Sequence, residues 1–254
     1  MLYPIPACYA GYAKLKLYNM VRYAKLSLPF DLKGVQTEIK ALNNAWQPHI
    51  NTYHYSGSWM VLALRSPGGD HTNTIPELIG KHNEYLDNIY MDNFPSVKKL
   101  LSGLQCPVMS ARFLNLQAGA IIKEHTDSDL AFEKGEARLH FSIFTNPAVE
   151  FYCEGELLFL PEGGCWYLNA NLPHNVSNRS DQDRIHLVVD CKVNDWLKEK
   201  ITASDHIAIK KETVDDNLLK MIKELRYQDT ERSNKLADEL EEKIKLILID
   251  GRAV

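Results

Sequence analysis

His125 and Asp127 lie two positions apart in KEHTDSDL, residues 123–130, with a further acid, Asp129, just beyond. Successive side chains on a strand point to opposite faces, so two residues at this spacing project to the same side and can grip one metal ion. The triplet alone is too short to decide this, because the end of a surface strand accommodates the same three polar residues. A third ligand has to come from a distant strand, and His174 in NLPHNVSN, just after a proline at the start of a predicted strand, is the candidate. Two imidazoles and one carboxylate on one face leave three adjacent octahedral positions open, the arrangement used by non-haem Fe(II) oxygenases.

Ten residues beyond His174, Arg184 opens the apolar strand RIHLVVDCKV. A cosubstrate such as 2-oxoglutarate needs a fixed cation for its distal carboxylate, and guanidinium supplies a permanent, bidentate one. The plainer reading pairs Arg184 with Asp181 or Asp183 as a solvated surface ion pair. In RLHFSIF, Arg138 and His140 share a face by the same period of two and make a second place for carboxylate oxygens. His186 shares Arg184's face and reads as a satisfied interior histidine; Asp129 reads as solvated.

Positioning these groups falls to the chain from residue 107 onward. VMSARFLNL, AIIKEH, RLHFSIFT, VEFYCEG, ELLFLP, CWYLNA, HNVSN and RIHLVVDCKV read as eight short strands, with CEGE as a tight hairpin turn. Strands of this kind flanked by helices predict a mainly β fold, a double-stranded β-helix or cupin-like jelly roll. Ahead of it, helical spacing at Leu32, Val35, Ile39 and Leu42 and the proline opening PSVKKLLSGL predict two helices. The stretch from Ser66 to Asn93 reads mostly as loop suited to a lid.

After Asp195 and Trp196 the pattern turns helical and charged, with apolar stripes at Leu218, Ile222 and Leu225 and at Leu236, Leu240 and Ile244. These are expected to pack on the barrel's outer face, with a homodimer contact through the C-terminal helices as the alternative. The domain reading is a barrel with N-terminal helices over residues 1–200 and a helical appendage over 201–254.

Across the 254 residues, 29 basic against 33 acidic side chains give a formal charge of -4, with no basic surplus to suggest a nucleic-acid partner. No run of about 18 apolar residues predicts a membrane span, and the start lacks the apolar core of a signal peptide. The five cysteines, Cys8, Cys106, Cys153, Cys165 and Cys191, show no CxxC spacing and read as reduced thiols of a cytoplasmic protein.

Taken together, HTD, RLHFSIFTNPAVEFY, GGCWYLNANLPHNVSN and DRIHLVVDCKVNDWL resemble the aspartyl/asparaginyl β-hydroxylase family of Fe(II)/2-oxoglutarate dioxygenases. The resemblance covers roughly residues 28–198 and is nearest to small bacterial members, among them the L-proline cis-4-hydroxylases. It implies that His125, Asp127 and His174 bind Fe(II) and carry the catalysis with O2. It further implies that Arg184 holds the distal carboxylate of 2-oxoglutarate and that Arg138 and His140 donate to its oxygens near the metal. Two departures stand out. The family's animal members lack the metal carboxylate that Asp127 supplies, and where they place a serine this chain has Leu114, with Asn115 or Arg112 as substitutes.

In HINTYHYSGSWMVLALRS the small bacterial members are similar again, which makes Asn51 and Trp59 candidates for the substrate pocket beside a strand equally suited to packing. Arg65, ending that apolar run, and Arg112 are candidates for a substrate carboxylate. The expected activity is hydroxylation of a free amino acid or similar small carboxylate, with release of succinate and CO2. A peptide or protein hydroxylase is the alternative, and a metal-binding cupin-like sensor without oxygenase activity is the rival from another class.

Overall fold

The computed structural model describes residues 16–250 apart from 43–44, 79–83, 128 and 214–215. Its elements run β1 (Lys16–Leu26), α1 (Leu32–Ala41), β2 (Gln47–Pro48), β3 (Tyr55–Ser56), β4 (Trp59–Pro67), β5 (Tyr85–Asp87), α2 (Pro95–Gly103) and β6 (Val108–Leu116). They continue with β7 (Ile121–His125), β8 (Glu136–Phe144), β9 (Val149–Cys153), β10 (Glu156–Leu158), β11 (Cys165–Leu168), β12 (His174–Asn178), β13 (Arg184–Lys192), α3 (Asp195–Thr202), β14 (Asp205–Thr213), α4 (Asp216–Gln228) and α5 (Glu231–Asp250). The eight strands expected from the alternating segments are β6 to β13. At CEGE, Glu154 (φ 49°) and Gly155 (φ 76°) both adopt the left-handed backbone that a two-residue hairpin turn requires.

The chain forms two antiparallel sheets, a double-stranded β-helix. The larger contains, in spatial order, β1, β11, β8, β13, β6, β4 and β2, with β5 added on β4; the smaller runs β10, β9, β12, β7, β3. Alternation divides the larger sheet chemically. Leu139, Phe141 and Ile143 of β8, Leu187 and Val189 of β13 and Phe113 of β6 point outward into the main hydrophobic core. There they meet Val35 and Ile39 of α1, Val97 and Leu100 of α2, and Leu197 and Ile201 of α3.

Each of these helices presents its apolar face because its start is fixed locally. Asp31 accepts from Gly34 N at 2.9 Å, Asn194 accepts from Leu197 N at 3.1 Å, and Pro95 occupies the first turn of α2. The residues between those core positions, Arg138, His140, Ser142, Arg184, His186 and Asp190 among them, point the other way, and all six are buried.

The described residues fall into two compact units, and Val21–Ile207 carries the core just described. In the other, α4 and α5 bury their apolar stripes against each other: Leu218 and Ile222 meet Ala237, with Leu225, Leu240 and Ile244 around them. The stripes thus cover each other. Two helices joined by Asp229 and Thr230 satisfy each other's apolar faces at the shortest range, with Arg226 clasping Asp238 at 2.6 Å. The segment expected to be wholly helical also includes a strand, β14. Among the described residues no helix is long and apolar enough to cross a membrane. Cys106, Cys153, Cys165 and Cys191 are free and buried, while Cys8 lies outside the described residues.

Phe141 is fully buried at the centre of the helix-covered face. Phe141→Ala should lower unfolding stability by about 3–5 kcal/mol in urea denaturation; a loss under about 1 kcal/mol would contradict this placement of the core.

Candidate metal centre

His125 at the end of β7 and His174 at the start of β12 are direct cross-strand neighbours, and a register shift follows His174. Such a bulge re-aims a side chain, and here the two rings stand 4.3 Å apart between centroids. Asp127 lies just beyond β7, where its backbone N–H donates to Ala170 O at 2.8 Å and pins the triplet to the turn before β12. One ligand atom from each of His125, Asp127 and His174 falls within 4.8 Å of the others.

The tautomers favour metal binding. His125 Nδ1 lies 2.9 Å from Lys123 O, and His174 Nδ1 lies 2.9 Å from Leu172 O. A carbonyl only accepts, so Nδ1 carries the proton in each ring and Nε2 is left with a lone pair for a cation. Burial, with the neighbouring His125 next, pulls the His174 pKa down to about 4, which keeps it neutral and ligating at neutral pH. Asp127 moves the other way: burial alone would raise its pKa, but the charge of Arg138 above all holds it below the ordinary value. Two imidazoles with Nδ1 turned to a backbone carbonyl, and a carboxylate between them, are a donor set suited to a divalent cation.

Arg138 is ion-paired to Asp127 and reaches back to Asp190 through Nε at 2.7 Å and Nη2 at 3.2 Å. Asp190 also receives Arg112 Nη1 at 3.0 Å and Ser110 Oγ at 2.9 Å. Its pKa is held far below the usual carboxylate range, because the charges of Arg138 and Arg112 outweigh the upward push of burial. The sequence reading overlooked Asp190. The available signal was parity, since it lies six residues after Arg184 and so shares its face.

Arg184 is 2% exposed, and no carboxylate pairs with it among the described residues, which removes the surface-pair reading with Asp181 or Asp183. Asp183 instead receives Asn115 Nδ2 at 2.9 Å. The Arg184 guanidinium lies over Phe151, whose ring in turn is parallel to that of His174. Burial pulls its pKa down to about 9, so it is a cation at neutral pH in want of an anion. His140 is also buried, with Nδ1 lacking a partner among the described residues, and burial and then Arg184 and Arg138 keep it neutral. Donors left in this state fit a buried carboxylate ligand.

A cleft of 520 Å³ opens at His125 and Asp127, which line one side of it with Arg138, Arg112 and Leu114. Asn51 and Trp59 also line it, as do Thr74, Ile75, Pro76 and Glu77 from the stretch expected to act as a lid. His49 and His54, which the sequence reading passed over, complete that wall: His49 stacks on Trp59 at 3.6 Å, and His54 stands 5.1 Å from the His125 ring. Arg65 does not reach the cleft. It is drawn to Asp87 at 2.8 Å and to Val108 O at 3.2 Å, and borders a different hollow with Met91 and Lys98.

Residues 30–193 match the model of the aspartyl/asparaginyl β-hydroxylase family. The chain belongs to that family. An L-proline cis-4-hydroxylase of Rhizobium meliloti (strain 1021) is 24% identical over 170 residues, a match spanning 63% of this chain and 59% of that one. Among solved structures, an oxidoreductase of the 2OG-Fe(II) oxygenase family from Burkholderia pseudomallei is similar at TM-score 0.43 and 13% identity, over 63% of this chain and 78% of the other. A prolyl-4-hydroxylase from Pseudomonas putida is similar at TM-score 0.40 and 11% identity, over 68% of this chain and 94% of the other.

Two measurements test this geometry. His125→Ala, Asp127→Ala and His174→Ala should each weaken Mn(II) binding by at least about tenfold in calorimetric titration; wild-type affinity in any of the three would remove that residue from the ligand set. Asp190 has a folded-state pKa below its unfolded one, so its stabilisation is present above about pH 4 and is lost as pH falls through that range. Asp190→Asn should therefore cost about 3–5 kcal/mol at pH 7 and visibly less at about pH 3. Equal losses at both would contradict the buried ion-pair account.

Proposed function

We propose that this protein is an Fe(II)- and 2-oxoglutarate-dependent hydroxylase whose substrate is a free amino acid or a similarly small carboxylate. The observation that carries the reading is a two-histidine, one-carboxylate cluster on the same barrel interior as Arg184, a buried guanidinium with no carboxylate of its own. A metal-binding barrel without oxygenase activity has no use for such a cation. The match to a relative named for proline hydroxylation supports a small substrate, and so does a cleft of 520 Å³.

In this reading His125, Asp127 and His174 hold the iron. Bound Fe(II) would supply the dioxygen chemistry that couples conversion of 2-oxoglutarate and O2 into succinate and CO2 with insertion of the other oxygen atom into a substrate C–H bond. The chain supplies placement. Arg138, anchored by Asp190, holds one oxygen of Asp127 and sets the orientation of that ligand. Arg184 takes the distal carboxylate of 2-oxoglutarate, with His140 nearer the metal. Arg112 and the buried Trp59 Nε1, which has no partner among the described residues, offer a cation and a donor to a substrate carboxylate from the cleft wall. The segment from Thr74 to Glu77 lines the cleft beside the metal ligands and would limit water around the substrate.

Free amino acids incubated with the Fe(II)-loaded protein, 2-oxoglutarate and O2 should include one that gains a single oxygen atom by mass spectrometry, matched by succinate. Hydroxylation confined to internal residues of peptides would replace this reading with that of a peptide hydroxylase. Arg184→Lys keeps the charge and loses the fork, so the 2-oxoglutarate KM should rise about tenfold or more. Trp59→Phe removes only the indole N–H and should raise the substrate KM by about 3- to 10-fold; an unchanged KM would place Trp59 in packing alone.

A further inference from the structure

Three acids line the cleft, and two of them are already answered. Asp127 is ion-paired to Arg138, and Asp129 lies 3.4 Å from Lys134 Nζ. Glu77, on the segment between β4 and β5, is exposed and has no cationic partner among the described residues. The arginines of the wall are answered as well, since Asp190 bridges Arg112 and Arg138. Glu77 is therefore a surplus negative charge on a wall that otherwise balances.

Its placement is set locally. Asp70 Oδ1 accepts from Thr72 N at 2.8 Å and Asn73 Oδ1 accepts from Ile75 N at 2.8 Å, two side-chain turns just ahead of Pro76. The proline ring then restricts φ, so the backbone that leads into Glu77 has little freedom. Burial would lower the Arg138 pKa, but Asp190, Asp127 and Glu77 raise it, which puts the Glu77 carboxylate within electrostatic reach of the metal cluster's edge.

His49, Trp59 and Arg112 offer the opposite chemistry from the same wall. Asn51 N lies 3.3 Å from His49 Nδ1, and a backbone amide only donates, so the proton of this ring sits on Nε2. Burial, then the Arg112 charge, pulls the His49 pKa down to about 4 and keeps the ring neutral. Trp59, stacked on His49, carries a buried Nε1–H without a partner among the described residues. Donors together with one free carboxylate suit a ligand that carries both an anion and a cation. A simple carboxylate would use the donors and be repelled by Glu77.

Resting on the hydroxylase reading, we infer that Glu77 binds the α-ammonium group of the substrate. The substrate is then an amino acid with a free amine, and the cleft rejects a carboxylate of the same size without one, because that ligand leaves Glu77 unpaired beside its own negative charge.

Succinate formation by the Fe(II)-loaded full chain, measured with the common L-amino acids and with the α-deaminated analogue of each, tests this. At least one amino acid should stimulate it, and the analogue of that amino acid should not. For the same amino acid, Glu77→Gln keeps the shape and loses the charge, and should raise the KM by about fivefold or more, with Glu77→Asp raising it less. Neither substitution should change the 2-oxoglutarate KM, and at an exposed position neither should disturb folding. The same weakening should appear when that amino acid is titrated calorimetrically into the chain loaded with Mn(II) and 2-oxoglutarate, where no turnover occurs. An α-deaminated analogue used as well as its amino acid, or a wild-type amino-acid KM in Glu77→Gln, would overturn the inference while leaving the hydroxylase reading standing. Absence of succinate with every compound would overturn both.

Discussion

Asp190 compensates two buried guanidiniums inside the barrel, and the inner face depends on that compensation. Arg112 and Arg138 are both more than nine-tenths buried, and neither could remain there as a lone charge without a penalty of several kcal/mol. Bridged by one carboxylate, they become rigid. Arg138 then holds Asp127, the carboxylate of the candidate metal cluster, and Arg112 forms part of the cleft wall. Two arginines and two aspartates balance in charge, so Arg184, which has no carboxylate partner among the described residues, stands apart as the cation reserved for a ligand.

The larger sheet makes this affordable by separating stability from chemistry. Its outward parity builds a helix-covered core of Phe113, Phe141, Leu139 and Leu187, while its inward parity carries histidines, arginines and an aspartate. Each of β6, β8 and β13 serves both purposes, one residue out of step with the next. A slip of one residue in β13 would turn Leu187 to the polar interior face and drive Arg184 into the core, so register is under strong constraint from both sides. The smaller sheet contributes the two histidines from adjacent strands, and Asp127, just beyond β7, meets Arg138 of the larger sheet across the interior.

Much of this was legible because alternation is a local property. The eight strands from Val108 to Lys192 follow from period two and turn residues; His125, Asp127 and His174 do come together, although Asp127 lies past the end of β7, where alternation no longer places it. What escaped depended on partners distant in sequence. Arg65 reads as a cation at a pocket mouth until β5, three residues within a loop-like stretch, brings Asp87 beside it. Asp190 sits in an apolar run where a carboxylate has meaning only with Arg112 and Arg138 on the flanking strands. The C-terminal stripes announce apolar faces without saying what covers them, and the nearest cover is the other helix.

The central claim is that His125, Asp127 and His174 hold a metal on which 2-oxoglutarate can chelate while Arg184 takes its far end. Anaerobic addition of one equivalent of Fe(II) followed by 2-oxoglutarate tests it most directly, since chelation by the keto acid produces a visible metal-to-ligand charge-transfer band. The account predicts that the band appears in the wild-type protein, is lost in His174→Ala, and needs more 2-oxoglutarate to saturate in Arg184→Lys. A wild-type protein that gives no band at saturating 2-oxoglutarate, or a His174→Ala protein that keeps it, would contradict the account.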